Sequence, residues 1–150
     1  MVPNTKRAPA PSIVGYSGKP LWQKLGLKPG LRVWRRHPPA DYWTLCGFDP
    51  ASVALATLNT RPFDFGHLFV TSRSALAKEL PRAVGKLEPH GMLWISWPKK
   101  SSGVTSDISE DVLREIALPL GLVDVKVCAV TEIWSGLKFV WRRSRRAPGR

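Results

Sequence analysis

Short runs of cationic and hydroxyl-bearing residues follow several hydrophobic stretches of this sequence, each where a strand is expected to end. They are Arg35, Arg36 and His37; Thr71, Ser72 and Arg73; Lys99 and Lys100; and Trp134 with Ser135. Guanidinium, ammonium and hydroxyl groups donate hydrogen bonds to anions, and a tryptophan supplies an aromatic wall beside them. We predict that these segments meet in a crevice for a phosphate or carboxylate; the alternative is that they are ordinary solvated loop residues.

The sequence lacks the patterns of the commoner catalytic and metal sites. No serine lies in a G-x-S-x-G motif, and Cys46 and Cys128 form neither a C-x-x-C pair nor a zinc-binding spacing with histidine. His37, His67 and His90 are scattered along the chain, and His67, inside an apolar stretch, is predicted to be a hydrogen-bonded core residue. We therefore predict no catalytic residue, no bound metal and two buried, reduced thiols.

Positive charge is concentrated at the two ends of the chain. Of the formal net charge of +12, residues near the termini supply +7, namely Lys6, Arg7, Arg142, Arg143, Arg145, Arg146 and Arg150. We predict a disordered segment at 1–14, one domain at 15–143 and a basic tail at 144–150 with weak affinity for polyanions such as nucleic acids. No apolar run is long enough to span a membrane, and residues 1–11 lack the apolar core of a signal peptide. A cytoplasmic protein without a membrane partner is expected.

Hydrophobic periodicity predicts strands that alternate with helices. Strands are expected at residues 31–36, 53–58, 63–70 and 92–97, the second of them buried, followed by a hairpin of 123–131 with 137–141 that turns at Ser135 and Gly136. Helices are expected near 21–25, at 41–48 with Asp41 as cap, after Ser74 as cap with a kink or break at Pro81, and after Asp107, which forms a capping box with Glu110. The sequence 89–91 is predicted to be a turn.

This order of elements favours one fold class. Strands that are separated by helices form right-handed crossovers and pair in parallel, whereas the terminal hairpin adds an antiparallel strand. The prediction is a three-layer, Rossmann-like α/β domain with a mostly parallel sheet of about six strands. Ligands of such sheets bind beyond the carboxyl ends of the strands, which is the edge where the cationic segments are expected to gather.

Several segments resemble class I S-adenosylmethionine-dependent methyltransferases. LKPGLRV at 27–33 resembles the entry to their first strand, and FDF at 63–65 with LEPHGML at 87–93 resembles their fourth strand, the next helix and the fifth strand. Residues 15–143 also resemble an uncharacterised bacterial family, the domain of unknown function 3052. That likeness rests on GYSG at 15–18, FVTSR at 69–73, SWPKK at 96–100, LVDVKVCAV at 122–130 and WSGL at 134–137. Both resemblances imply a shortened methyltransferase-like fold.

The sequence departs from the methyltransferases at two positions that bind their cofactor. The methyltransferases carry a Gly-x-Gly loop after their first strand, where this chain has Arg-His-Pro-Pro-Ala at 36–40. They carry an acidic residue after their second strand, where this chain has Leu-Asn-Thr at 58–60. Proline removes an N–H donor, and its ring fills the space that glycine leaves open. The departures predict that S-adenosylmethionine binding and catalysis have been lost.

Three functions are therefore compared. The leading hypothesis is a non-catalytic, methyltransferase-like domain that binds an anionic small molecule or a protein partner. The second is an S-adenosylmethionine-dependent methyltransferase with an atypical cofactor loop, in which Thr71, Ser72 and Arg73 occupy the position of the family's substrate contacts. The third is a module that binds polyanions or nucleic acid through its basic tail.

Overall fold

The computed structural model describes residues 18–57 and 61–143, so the predicted disordered segment 1–14 and basic tail 144–150 lie outside the described residues. The strands are β1 (Arg32–Arg36), β2 (Ala54–Leu55), β3 (Phe63–Phe69), β4 (Leu87–Pro98), β5 (Leu122–Ala129) and β6 (Trp134–Trp141). The α-helices are α1 (Leu21–Leu25), α2 (Tyr42–Cys46), α3 (Arg73–Val84) and α4 (Glu110–Ala117), and 3-10 turns span Pro50–Ser52, Lys100–Ser102 and Leu118–Leu120. None of the described helices is long and apolar enough to cross a membrane.

The strands form one six-stranded sheet in the order β2-β1-β3-β4-β6-β5. Strands β1 to β4 pair in parallel, whereas β6 runs antiparallel to both of its neighbours, β4 and β5. Consequently β5 runs in the same direction as the first four strands. The predicted α/β fold, with a mostly parallel sheet that ends in an antiparallel hairpin, is confirmed.

Successive side chains of the central strands point to opposite faces of the sheet and belong to two separate hydrophobic clusters. On one face, Leu93 and Ile95 of β4 join the buried side chains of α3 and α4. On the opposite face, Trp94 joins those of α1 and α2, and its indole N–H donates to the carbonyl of Leu25 at 2.8 Å. The helices therefore lie in two layers around the sheet, with α3 and α4 on one side and α1 and α2 on the other.

Two predicted strands differ from the observed ones. The strand expected at 53–58 has only the residues of β2, and Leu55 is 58% exposed rather than buried, because β2 pairs with β1 alone and no described strand covers its outer edge. Residues 58–60 lie outside the described part. Strand β4 begins at Leu87 rather than Met92, so the predicted turn at 89–91 is part of the strand. The register shift between Phe63 and Phe65 accommodates these additional residues.

Two predicted helix caps, Ser74 and Asp107, were wrong, and the predicted break at Pro81 does not occur, whereas the predicted cap Asp41 is at the expected position. Helix α3 is capped by Ser72, whose hydroxyl accepts from the backbone N–H of Ala75, and it continues through Pro81, which lies on its exposed side. Helix α4 is capped by Ser109 instead of Asp107. Asp41 does occupy the N-cap of α2, but its side chain makes no capping hydrogen bond.

The hairpin turn lies at residues 130–133, before the predicted Ser135 and Gly136, which are part of β6. A Cβ atom at Gly136 would approach the Trp94 ring to 3.2 Å and the Ser96 hydroxyl to 3.3 Å. The nearest contact of that Cβ would be the Val130 side chain in the hairpin turn, at 2.9 Å, so Gly136 allows β6 to pack closely against both β4 and the turn.

Candidate functional site

The predicted cationic segments lie along the carboxyl edge of the sheet, where β1, β3 and β4 end and β6 begins. Pro98 at the end of β4 is paired with Trp134 of β6, and the backbone N–H of Lys99 donates to the carbonyl of Ile133 at 2.8 Å. Val70 follows β3 and donates its N–H to the Ser96 carbonyl at 3.0 Å, which places Thr71 beside the end of β4. The edge is therefore shared by these three strands and β1.

The Arg36 and His37 side chains at the end of β1 both bind a helix carboxylate that sequence reasoning did not identify. The Glu79 side chain of α3 accepts from Arg36 Nε at 2.6 Å and binds His37 Nε2 at 2.9 Å. Burial of Glu79 opposes its ionisation, but hydrogen bonds from Arg36 and His37 outweigh burial and lower the pKa of its carboxyl. Glu79 lies on the same inward-facing side of α3 as Leu76, Leu80 and Ala83. A carboxylate among apolar residues on one helix face is the sequence signal that could have identified Glu79 as the partner of a cation.

Two of the three predicted residues that follow β3, Ser72 and Arg73, make contacts within the fold. The Arg73 guanidinium forms an ion pair with Glu115 of α4, and its backbone N–H donates to Asp107 at 2.7 Å. The hydrogen bond from Arg73 lowers the pKa of the Glu115 carboxyl. Ser72 caps α3, so Thr71 is the exposed hydroxyl of this segment.

Arg35 lies on the opposite face of the sheet from Arg36, because successive strand residues point in opposite directions. Its guanidinium carbon is 5.3 Å from the ring centroid of Tyr42 and 4.9 Å from that of Trp43, both on α2. The structure thus separates Arg35 from Arg36 and His37, which are adjacent in the sequence. Arg35 stabilises the packing of α2 through cation–π contacts, whereas Arg36 and His37 join β1 to α3.

Two lysines at the end of β4 differ from the paired cations. Within the part of the chain that the structure describes, Lys99 and Lys100 form no ion pair; Lys99 is half-buried and Lys100 is exposed. Trp134 packs edge-on against Phe69 with ring centroids 5.0 Å apart, and Ser135 lies in β6 opposite Trp97. The candidate edge therefore has a neutralised half at β1 and β3 and a cationic half at β4 and β6.

The loop between β1 and α2 has an unusual backbone. His37 has φ 56°, which makes it the one residue other than glycine with a positive φ in residues 18–57 and 61–143. Pro38 and Pro39 follow, and the Pro39 carbonyl accepts from the N–H of Tyr42 at 3.1 Å. The left-handed turn expected of glycine is thus made by a histidine, and the next two positions have no N–H to offer a ligand.

A buried chain of polar groups lies beneath this loop. The Tyr42 hydroxyl is 2.9 Å from His67 Nδ1, and His67 Nε2 is 2.8 Å from the Ser96 hydroxyl. Burial, with a smaller contribution from the charge of Arg35, lowers the pKa of His67 to about 3. Burial likewise raises the pKa of the neighbouring Cys46 thiol to about 12. The prediction that His67 is a hydrogen-bonded core residue is confirmed, and both cysteines are buried and reduced.

A concavity lies at the other end of the strands. This cleft has a volume of about 340 Å³ and opens at the amino edge of the sheet, away from all ten predicted site residues; it is lined by Gly26, Lys28, Leu31, Asp64, Glu88, Pro89, His90 and Met92. Asp64 is occupied there as the acceptor of the Arg32 backbone N–H at 2.8 Å. The described residues contain no group of three histidine, cysteine or carboxylate side chains that could hold a metal ion.

Solved structures share this fold. The magnesium protoporphyrin IX methyltransferase ChlM from Synechocystis PCC 6803 with bound SAM superposes with a TM-score of 0.56 at 11% identity, over 80% of this chain and 74% of that chain. The DhpI–SAH complex superposes with a TM-score of 0.52 at 12% identity, over 75% of this chain and 77% of that chain. The ribosomal protein L11 methylase from Lactobacillus delbrueckii subsp. bulgaricus superposes with a TM-score of 0.51 at 12% identity, over 81% of this chain and 75% of that chain.

At these identities the likeness establishes the fold alone. The chain has the methyltransferase-like, Rossmann-like fold of S-adenosylmethionine-dependent methyltransferases, as the sequence resemblance implied. No family model matches the chain, and no curated protein matches it. Membership of the uncharacterised family of the domain of unknown function 3052 therefore stays a prediction.

Proposed function

We propose that this protein is a methyltransferase-like domain that does not use S-adenosylmethionine and instead binds an anionic small molecule or an acidic protein partner at the carboxyl edge of its sheet. The observation that carries the proposal is the loop after β1. Its two prolines supply no N–H, and its Arg36 and His37 side chains are both bound to Glu79.

This loop does not fit the part of the cofactor that methyltransferases hold there. A carboxylate held by a strand-to-helix loop needs several backbone N–H groups that point at it and room for close approach. Pro38 and Pro39 provide neither. Arg36 and His37 would have to exchange a short ion pair with Glu79 for the ligand. No part of the proposed activity therefore depends on S-adenosylmethionine.

The cationic half of the edge is the proposed binding surface. Lys99 and Lys100 follow β4, the exposed Thr71 follows the neighbouring β3, and Trp134 of β6 is paired with Pro98 on the other side. Ammonium and hydroxyl groups beside an aromatic ring suit a phosphate or a carboxylate. Because Arg36 and Arg73 form ion pairs with carboxylates and His37 is hydrogen-bonded to Glu79, we assign the binding to the lysines rather than to the arginines.

One observation favours the second function, a methyltransferase with an atypical loop. The left-handed φ of 56° at His37 preserves the turn geometry that a glycine normally provides in such a loop. In this reading Thr71, Ser72 and Arg73 would contact the substrate. In the proposed function the same turn brings the His37 ring to Glu79, with Nε2 2.9 Å from the carboxylate.

The two functions are separated by isothermal titration of the full chain with S-adenosylmethionine and with S-adenosylhomocysteine. The proposal predicts no binding heat for either compound. Binding of either with a dissociation constant on the order of micromolar would refute the proposal and support the methyltransferase.

The anion site is tested separately with inorganic pyrophosphate as the probe. We expect pyrophosphate to raise the melting temperature of the wild type, and K99Q/K100Q to abolish that shift because both ammonium groups are lost. The variant K78Q/R82Q removes the same charge from the exposed side of α3 and is the matched control. An equal response in both variants would contradict an anion site at the end of β4.

A further inference from the structure

The ion-paired carboxylates of the folded domain lie on one side of the sheet. Within the described residues, every carboxylate that forms an ion pair lies on α3 or α4 or beside α4; these are Glu79, Glu110, Asp111, Glu115 and Asp124. The opposite layer near α1 is different. Residues 19–28 contain three lysines and no acid, and residues 126–138 begin and end with lysine and contain Glu132 as their sole acid.

Three of these lysines converge on the surface between α1 and the hairpin. Lys126 of β5 is paired in register with Lys138 of β6, so the two cations stand side by side on the same face of the sheet. The ammonium group of Lys126 donates to the carbonyl of Lys24 at the end of α1, 3.1 Å away. We refer to Lys24, Lys126 and Lys138 as the lysine surface.

The lysine surface carries an electrostatic cost in the free protein. Like charges directly opposite each other in a sheet repel, and Lys138 is only partly exposed. Burial, and secondly the charge of Lys126, lower the pKa of Lys138. A lysine on an edge strand such as β5 prevents unwanted strand pairing, which accounts for Lys126. It does not account for Lys138, which lies on an interior strand.

The surface extends towards the cationic half of the carboxyl edge. The backbone N–H of Lys99 donates to the carbonyl of Ile133 in the turn of the same hairpin, at 2.8 Å. Burial raises the pKa of the Cys128 thiol, which lies on the same face two residues after Lys126, and the charges of Lys24, Lys126 and Lys99 oppose this shift. Val130, the partner of Trp134 at the hairpin turn, is four residues beyond Lys126, a distance of about 13 Å along a strand. That length exceeds a single phosphate group and favours a polyanion that carries several phosphates along its length.

We propose that the lysine surface, together with Lys99, binds the phosphate backbone of duplex nucleic acid without regard to its sequence. Lysine ammonium groups contact phosphates as point charges, which gives affinity without reading bases. Binding would place polyanionic phosphates beside Lys126 and Lys138 and thereby relieve their mutual repulsion. This surface belongs to the folded domain and is distinct from the basic tail. It shares Lys99 with the anion site of the proposed function, but the variants that test it leave Lys99 unchanged.

The test is fluorescence anisotropy of a labelled short duplex with the full chain over a range of about 50 to 200 mM salt. We expect wild-type binding to weaken steeply with salt. The variant K126Q/K138Q should reduce the slope of log affinity against log salt by about 1.8, since each phosphate contact contributes about 0.9. This corresponds to binding up to about 60-fold weaker at about 0.1 M salt.

Two controls identify the surface. K78Q/R82Q removes two positive charges from the opposite layer and should leave the slope unchanged, and a chain without residues 144–150 should retain the effect of K126Q/K138Q. Thermal unfolding of each variant confirms that it folds. Equal losses in K126Q/K138Q and K78Q/R82Q would show a net-charge effect and overturn the proposal. So would the absence of wild-type binding at the lowest salt, or binding that is lost entirely with the tail.

Discussion

The buried histidine of β3 makes the stability of this fold depend on pH. His67 is completely buried, with each ring nitrogen hydrogen-bonded, to Tyr42 and to Ser96, and burial lowers its pKa from 6.5 to about 3. A pKa that is lower in the folded state means that the unfolded chain takes up the proton first. The contribution of His67 is therefore complete above about pH 6.5 and is lost progressively as the pH falls towards 3.

The size of this effect follows from the two pKa values. Each pH unit between them removes about 1.4 kcal/mol from the free energy of unfolding, so the wild type should lose about 2 kcal/mol between about pH 7.5 and pH 5. Urea unfolding at several pH values measures the loss. The variant H67Q should be less stable than the wild type at about pH 7.5 by about 1 to 3 kcal/mol, because a buried partner loses its hydrogen bond.

The pH dependence distinguishes this explanation from a general loss of packing. H67Q has no titrating group at this position, so its stability should vary much less over the same pH range, whereas H90Q, at an exposed histidine of β4, should behave like the wild type. Parallel pH curves for the wild type and H67Q would refute the assignment of a neutral, buried His67.

Two further predictions concern close packing and the ion pair at the candidate edge. G66A should lower the free energy of unfolding by about 1 to 3 kcal/mol in urea, because its Cβ would lie 2.5 Å from the Phe63 ring, whereas G85A, with its nearest contact at 3.4 Å, should be close to neutral. E79Q should cost about 1 kcal/mol at low salt and less at high salt, since the pair with Arg36 is partly screened; a loss independent of salt would contradict an electrostatic role.

Much of the fold was predictable because local patterns and long-range packing agree. The apolar strands, the helical spacing of Leu76 and Leu80, and the glycines that end helices all point to the observed elements. The errors occurred where tertiary contacts decide between local alternatives. Ser74 and Ser72 are both plausible caps from the sequence. Only the hydrogen bond from the Arg73 N–H to Asp107, which is distant in sequence, shows where α3 begins.

It was predictable that the candidate segments share one edge of the sheet, but the charge balance at that edge was not predictable. The carboxyl ends of parallel strands meet at one edge, so the segments around Thr71 and Lys99 could be placed together from the order of elements. Whether a cation is available to a ligand depends on partners that are distant in sequence. Glu79 is 43 residues from Arg36, and Glu115 is 42 residues from Arg73. No spacing rule connects such residues.

The most direct test of the central claim is a titration of the isotopically labelled protein with S-adenosylhomocysteine, followed by the backbone amide resonances of the loop between β1 and α2. Our account predicts no change at Arg36, His37 or Ala40, because two prolines and the contacts of Glu79 leave the loop without a cradle for the cofactor. Saturable shifts of these amides at about micromolar to millimolar ligand would contradict it and identify the protein as a cofactor-binding methyltransferase.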